Sequence, residues 1–120
     1  MEWNIADNRP IWLQLYEQLT LRIVTGYYAM GERMPTVREL AAEAGVNPNT
    51  MQRALAYLED QGLAESNRTA GRMVTADQEK IQKIRMELAQ EQITRYLQGM
   101  QILGFSKSEA RNFLQSESEI

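Results

Sequence analysis

The sequence predicts a mainly α-helical fold with one small β-hairpin. Three observations point there. Apolar residues recur at helical spacing through 11–23 and again through 51–58. A strand, turn, strand pattern occupies 63–75. A long amphipathic stretch then runs from 78 to a glycine at 104.

The first helix opens at Pro10, which suits a first helical position because its missing N–H has no partner there anyway. Ile11, Leu15, Leu19 and Ile23 recur at spacing four, with Trp12 and Tyr16 alongside, so one wide face is buried. Gly26 ends it, and the connector "GYYAMGERMP" follows. Thr36 and Glu39 are spaced as a capping box for a second helix. Val37, Leu40 and Ala41 give that helix a short apolar face, and Gly45 stops it. Asn47 is a good N-cap and Pro48 a good first-turn residue for a third. Met51, Ala54, Leu55 and Leu58 carry the third helix to Gly62. Two short helices joined through a glycine turn predict a helix-turn-helix. Strands at 63–66 and 72–75 flank the turn "NRTAG", which makes the unit a winged helix-turn-helix, over residues 1–76.

Residues 77–120 form a separate helical segment. Apolar residues stand at 81, 84 and 88, then at 86, 89, 93, 97 and 100. The second set is rotated away from the first, so this helix meets two different neighbours. Gly104 ends it, and Ser106 with Glu109 forms a second capping box. A short last helix runs through Phe113 and Leu114, and the polar "QSESEI" is expected to fray.

Composition excludes several functions. The chain has no cysteine, which removes disulfides and thiol chemistry and fits a reducing cytoplasm. It has no histidine, hence neither the commonest zinc ligand nor the commonest general base. No paired carboxylates stand out, so no catalytic residue, metal or cofactor is expected, and the chain is not read as an enzyme. The N-terminus has an acid at position 2 and no apolar run, unlike a signal peptide. No stretch approaches the roughly 20 apolar residues that span a bilayer, so no membrane partner is expected.

The net charge is −3, yet the first 77 residues carry seven arginines and no lysine. The stretch "VNPNTMQRAL" opens the third helix without an acid between Asn47 and Leu58. A helix N-terminus offers free N–H groups and a positive dipole end. Asn47, Asn49 and Thr50 add uncharged donors and acceptors. Asn can bond adenine bidentately, and a threonine methyl can touch a thymine methyl. Gln52 and Arg53 extend the reach to base edges and phosphates. Taken alone, Asn47 and Pro48 are merely a good helix start; the neighbouring helix, turn and hairpin favour nucleic-acid contact.

The stretch "MPTVRELAAEAGVNPNTMQRALAYLEDQGL" resembles the DNA-binding domain of GntR-type bacterial transcriptional regulators, and "PIWLQLYEQL" resembles their first helix. The resemblance covers residues 9–74. The asparagine-proline-asparagine-threonine form with a short two-helix tail is similar to the YtrA-type branch. The resemblance implies that Arg38 grips phosphate or reaches a base. It implies that Asn47, Asn49, Thr50 and Arg53, with Gln52, form the contact end, shaped by Pro48. It places Arg68, Thr69 and Gly71 at a wing tip that approaches the minor groove. The wing departs from the family pattern: Thr69 replaces a glycine, Arg72 a threonine and Met73 a phenylalanine. Arg72 is either an added phosphate contact or a solvated strand residue. For Arg38 the alternative is an ion pair with Glu39 or Glu43.

The resemblance implies a repressor acting on a double-stranded DNA operator. One winged helix reads only a few base pairs, so two copies on an inverted repeat are expected. The tail then holds a homodimer together. Ile81, Ile84 and Leu88 pack back on the winged helix. Ile93, Tyr96, Leu97 and Met100 meet the partner, with Phe105, Phe113 and Leu114 closing the edge. About forty residues cannot alone enclose a ligand pocket of several hundred Å³, so no small-molecule effector can be named. The alternative function is a winged-helix protein-interaction module without specific DNA binding.

Overall fold

The computed structural model describes residues 1–117. In order these form α1 (Ile11–Val24), α2 (Val37–Ala44), α3 (Pro48–Asp60), β1 (Ala64–Asn67), β2 (Gly71–Val74), α4 (Gln78–Ile102) and α5 (Lys107–Glu117). The arrangement is a winged helix-turn-helix followed by two C-terminal helices. Within the expected frayed end, α5 continues to Glu117, and residues 118–120 lie outside the described residues. No helix among the described residues is long and apolar enough to cross a membrane.

Local signals act as their chemistry requires. Pro10 stands just before α1 and not within it. The Thr36 hydroxyl oxygen accepts the Glu39 N–H at 3.2 Å. Glu39 does not complete the box on the backbone; its carboxylate accepts the Thr36 hydroxyl instead. Gly45 takes the left-handed conformation (φ +69°). Its N–H then reaches the Ala42 carbonyl while Val46 N–H reaches Ala41, closing the end of α2.

The strands pair antiparallel from Ala64↔Val74 to Asn67↔Gly71, one residue offset from the expected bounds. Leu63 is fully buried, and its carbonyl still accepts Thr75 N–H. The connector before α2 adds a short third line to the sheet. Met34 N–H donates to the Arg72 carbonyl at 2.8 Å, and Val74 N–H to that of Glu32 at 2.9 Å. The core gathers Leu15, Leu19 and Ile23 of α1, Leu40 of α2, Met51, Leu55 and Leu58 of α3, and Leu63 and Val74 of the hairpin.

The N-terminal residues, which carried no expected element, form a strap along α1. Gln14, Gln18 and Arg22 recur at spacing four on one side of that helix. The Gln14 amide donates to the Ala6 and Arg9 carbonyls and accepts the Ala6 N–H. Gln18 exchanges two hydrogen bonds with the Asn4 backbone. Arg22, only 1% exposed, donates to the Met1 carbonyl and the Tyr28 hydroxyl and lies 3.7 Å from the centre of the Trp3 ring. Carbonyl, phenol and π faces thus satisfy a buried cation that forms no ion pair among the described residues. Burial pushes the Tyr28 hydroxyl pKa up, partly offset by the Arg22 hydrogen bond and charge.

The chain divides into two compact units, Met1–Ile84 and Arg85–Ile120. The first runs past the boundary expected at residue 76, because Ile81 and Ile84 at the start of α4 pack against its core. It ends before Leu88, which belongs to the second unit. In that unit a complete capping box opens α5. Glu109 N–H donates to the Ser106 hydroxyl oxygen, and Ser106 N–H to the Glu109 carboxylate at 3.0 Å. These bonds hold the Glu109 pKa below its ordinary value. Tyr96 donates to the Ala110 carbonyl at 2.7 Å, and Phe105 meets Phe113 edge-on.

Candidate nucleic-acid interface

The site is built on the opening of α3. The Asn47 side-chain oxygen accepts the Asn49 N–H at 2.8 Å. The Asn47 carbonyl accepts both Thr50 N–H and Met51 N–H. Pro48 has no N–H. Every N–H of the first turn is therefore satisfied internally, which corrects the expectation of free N–H groups there. The helix dipole still favours an anion, but hydrogen bonds to one must come from side chains. Those available are the Asn47 side-chain NH₂, the exposed Asn49, Gln52 and Arg53, and the half-buried Thr50.

Arg53 is held from outside its own helix. Its guanidinium lies 4.4 Å from the centre of the Trp12 ring on α1. Trp12 in turn meets Tyr57 edge-on at 5.5 Å. An open concavity lies here, walled by Pro10, Ile11 and Trp12 on one side and Asn49, Thr50 and Arg53 on the other.

Arg38 is exposed on α2. Neither Glu39 nor Glu43 pairs with it among the described residues, so the ion-pair alternative is not formed. Glu39 is engaged by Thr36.

The wing turn spans residues 68–70. The Asn67 side-chain oxygen accepts Thr69 N–H at 2.9 Å, the Thr69 hydroxyl at 3.0 Å and Ala70 N–H at 3.2 Å. This Asx-type turn supplies the constraint that lets Thr69 stand where the family has glycine. Gly71 follows at φ +83°, a conformation strained for any side chain. Arg68 sits exposed at the tip and forms no ion pair among the described residues.

Arg72 is anchored to α3 through its Nε. Its Nε donates to the Glu59 carboxylate at 2.9 Å, and the Ser66 hydroxyl donates to the same oxygen. Glu59 stands in the last turn of α3, so the pair clasps the wing to that helix. Burial pushes the Glu59 pKa up, but the Ser66 and Arg72 hydrogen bonds outweigh it and hold the carboxyl below its ordinary value. Sequence reasoning missed Glu59, which stands just past the acid-free stretch. It also missed the bracing role of Trp12, which reads there as one more apolar-face residue. No sequence spacing signals either contact.

Residues 12–74 match the family model for GntR, the bacterial regulatory proteins of the gntR family. The chain belongs to the GntR family. It is 31% identical over 109 residues to the uncharacterised HTH-type transcriptional regulator YhcF of Bacillus subtilis, covering 91% of this chain and 90% of that one. It is 33% identical over 69 residues to the HTH-type transcriptional repressor YtrA of the same organism, covering 58% of this chain and 53% of that protein. A solved GntR family transcriptional regulator from Listeria monocytogenes superposes with a TM-score of 0.85 at 31% identity, covering 93% of this chain and 98% of that one. As a GntR member, the chain is a DNA-binding transcriptional regulator and not an enzyme.

Proposed function

We propose that this GntR regulator is a cytoplasmic repressor that binds an inverted-repeat operator as a homodimer. One observation carries the DNA-contact reading: the opening of α3 presents exposed amides and Arg53 on an acid-free helix turn, and Arg38 and Arg68 are exposed and form no ion pair among the described residues. Asn47, Asn49, Thr50 and Gln52 read base edges in the major groove. Arg53 and Arg38 take phosphate or a base edge. Arg68, with the backbone of Thr69 and Gly71, meets the minor groove. Arg72 serves the wing by holding it against α3.

The dimer reading rests on the second unit. Ile93 (50% exposed), Phe113 and Leu114 present apolar surface to solvent. Tyr96, Leu97, Met100 and Phe105 are half-buried beside them. Ile102 and Leu103, at the end of α4, are exposed as well, at 86% and 71%. Between α4 and α5 lies an open groove of about 560 Å³, lined in part by Ile93, Leu97 and Leu114. A patch that pairs with its own copy generates a two-fold axis, and a two-fold axis matches an inverted repeat. Repression follows the relative YtrA, itself a repressor.

Selection of bound sequences from random DNA tests the reading, and a two-fold symmetric consensus is the expected result. On the selected site Asn49→Ala loses about 1–3 kcal/mol and discriminates less between bases. Arg38→Ala weakens specific and random DNA alike and lowers the salt slope by about one charge. A consensus without symmetry removes the inverted-repeat reading.

A further inference from the structure

We infer that Trp12 is a positioning residue for DNA contact, holding the Arg53 guanidinium in place while leaving its donors free. The inference rests on the reading of Arg53 as a DNA contact.

Four side chains interleave between α1 and α3. Trp12 and Tyr16 stand one turn apart on α1, and Arg53 and Tyr57 one turn apart on α3. Tyr57 packs edge-on against Tyr16 at 4.6 Å and against Trp12 at 5.5 Å between ring centres. The Tyr57 contact limits rotation of the indole, and Tyr16 backs Tyr57. The outer member of the row is Arg53, 4.4 Å from the Trp12 ring centre.

What matters is the kind of contact. An arginine held by a carboxylate has one or more of its N–H groups occupied. An arginine stacked on an aromatic face is held through its π face, and its donors lie in the guanidinium plane. Among the described residues no ion pair takes the Arg53 guanidinium, and the Trp12 stack is the contact that restrains it. A long flexible side chain on an exposed helix turn otherwise samples many rotamers, and ordering them opposes binding. Arg72 makes the contrast. Its Nε is engaged by Glu59, and it stabilises the wing. Trp12 also walls the concavity that Asn49 and Thr50 share, so the restrained guanidinium stands beside the base-reading side chains.

The test is a double-mutant cycle on the full-length protein, titrated with the selected operator at fixed salt. Trp12→Leu is expected to weaken specific binding about two- to five-fold, the range for an exposed cation–π contact. Trp12→Phe, with a weaker but intact ring face, falls between parent and Trp12→Leu. Arg53→Ala is weaker than either. The double variant Trp12→Leu/Arg53→Ala binds no worse than Arg53→Ala alone, because the indole then has nothing to position. Arg53→Lys keeps the charge and loses the planar guanidinium, so Trp12→Leu has a smaller effect in that background than in the parent. If Trp12→Leu fails to fold, the Trp12→Phe cycle carries the same comparison. Additive losses overturn the inference, since the indole then acts on DNA or on the fold independently. A parent-like Trp12→Leu beside a weakened Arg53→Ala overturns the inference alone. A parent-like Arg53→Ala overturns the DNA-contact reading of that residue and the inference with it.

Discussion

The two units of this chain treat apolar side chains in opposite ways. In Met1–Ile84, Leu15, Leu19, Leu40, Met51, Leu55, Leu58 and Leu63 are all fully buried, and the strap covers a further side of α1. In Arg85–Ile120 only Ala110 is buried among the described residues, while Ile93, Ile102, Leu103, Phe113 and Leu114 face solvent. Both units have capped helices, so helix formation does not separate them. The difference is where the apolar face goes. Three helices and a hairpin can enclose one another's stripes; two helices of a short tail cannot. Under the proposed dimer, the partner covers these side chains.

The comparison predicts that equal chemistry has unequal effects in the two units. Leu58→Ala deletes a fully buried side chain and should lower the stability of the first unit by about 2–5 kcal/mol, read by denaturant unfolding. Leu114→Asp should leave that stability nearly unchanged and shift the oligomer toward monomer in light scattering, with a loss of specific DNA affinity. A chain ending at Ile84 should behave likewise, since it retains Ile81 and Ile84 over the core. A truncated chain that still dimerises would place the interface in the first unit.

Smaller effects sharpen the boundary between wing and helix. Glu59→Gln weakens the clasp to Arg72 and Ser66 and should lower stability by about 1 kcal/mol at neutral pH. The Glu59 pKa lies below its ordinary value in the folded protein. Its stabilisation is therefore present above the ordinary carboxylate pKa and is lost as pH falls through the depressed folded value. Glu59→Gln should flatten that acid limb of the unfolding profile. The smallest change is expected from Ser106→Ala, which removes an exposed cap of α5 and lowers local stability by about 0.5 kcal/mol. Hydrogen exchange should show fraying confined to α5. Fraying that spreads into α3 would show the units to be more strongly coupled than their separate cores imply.

Much of the fold was legible because its signals are local. Thr36, Gly45, Asn47 and Ser106 each act within one helical turn of where they stand. The three- and four-residue spacing of Leu15, Leu19 and Ile23, or of Met51, Leu55 and Leu58, states which face is buried without saying against what. The strap was legible in principle: Gln14, Gln18 and Arg22 repeat every four residues on one flank of α1. That stripe reads as an ordinary solvated side unless the chain before it is known to return.

The proposed DNA face divides along the same line. Residue types and the position of α3 follow from the order Asn47, Pro48, Asn49, Thr50 and from the family pattern. The state of each group does not. Whether the first-turn N–H groups are free depends on the Asn47 carbonyl accepting two of them. Whether Arg72 or Arg53 keeps its donors depends on Glu59 and Trp12, distant in sequence and adjacent in space. A helix, a cap or a tight turn depends on neighbours within a few residues, so the amino-acid order carries it. The partner of a long flexible cation depends on which elements pack side by side, and that is settled when the core closes.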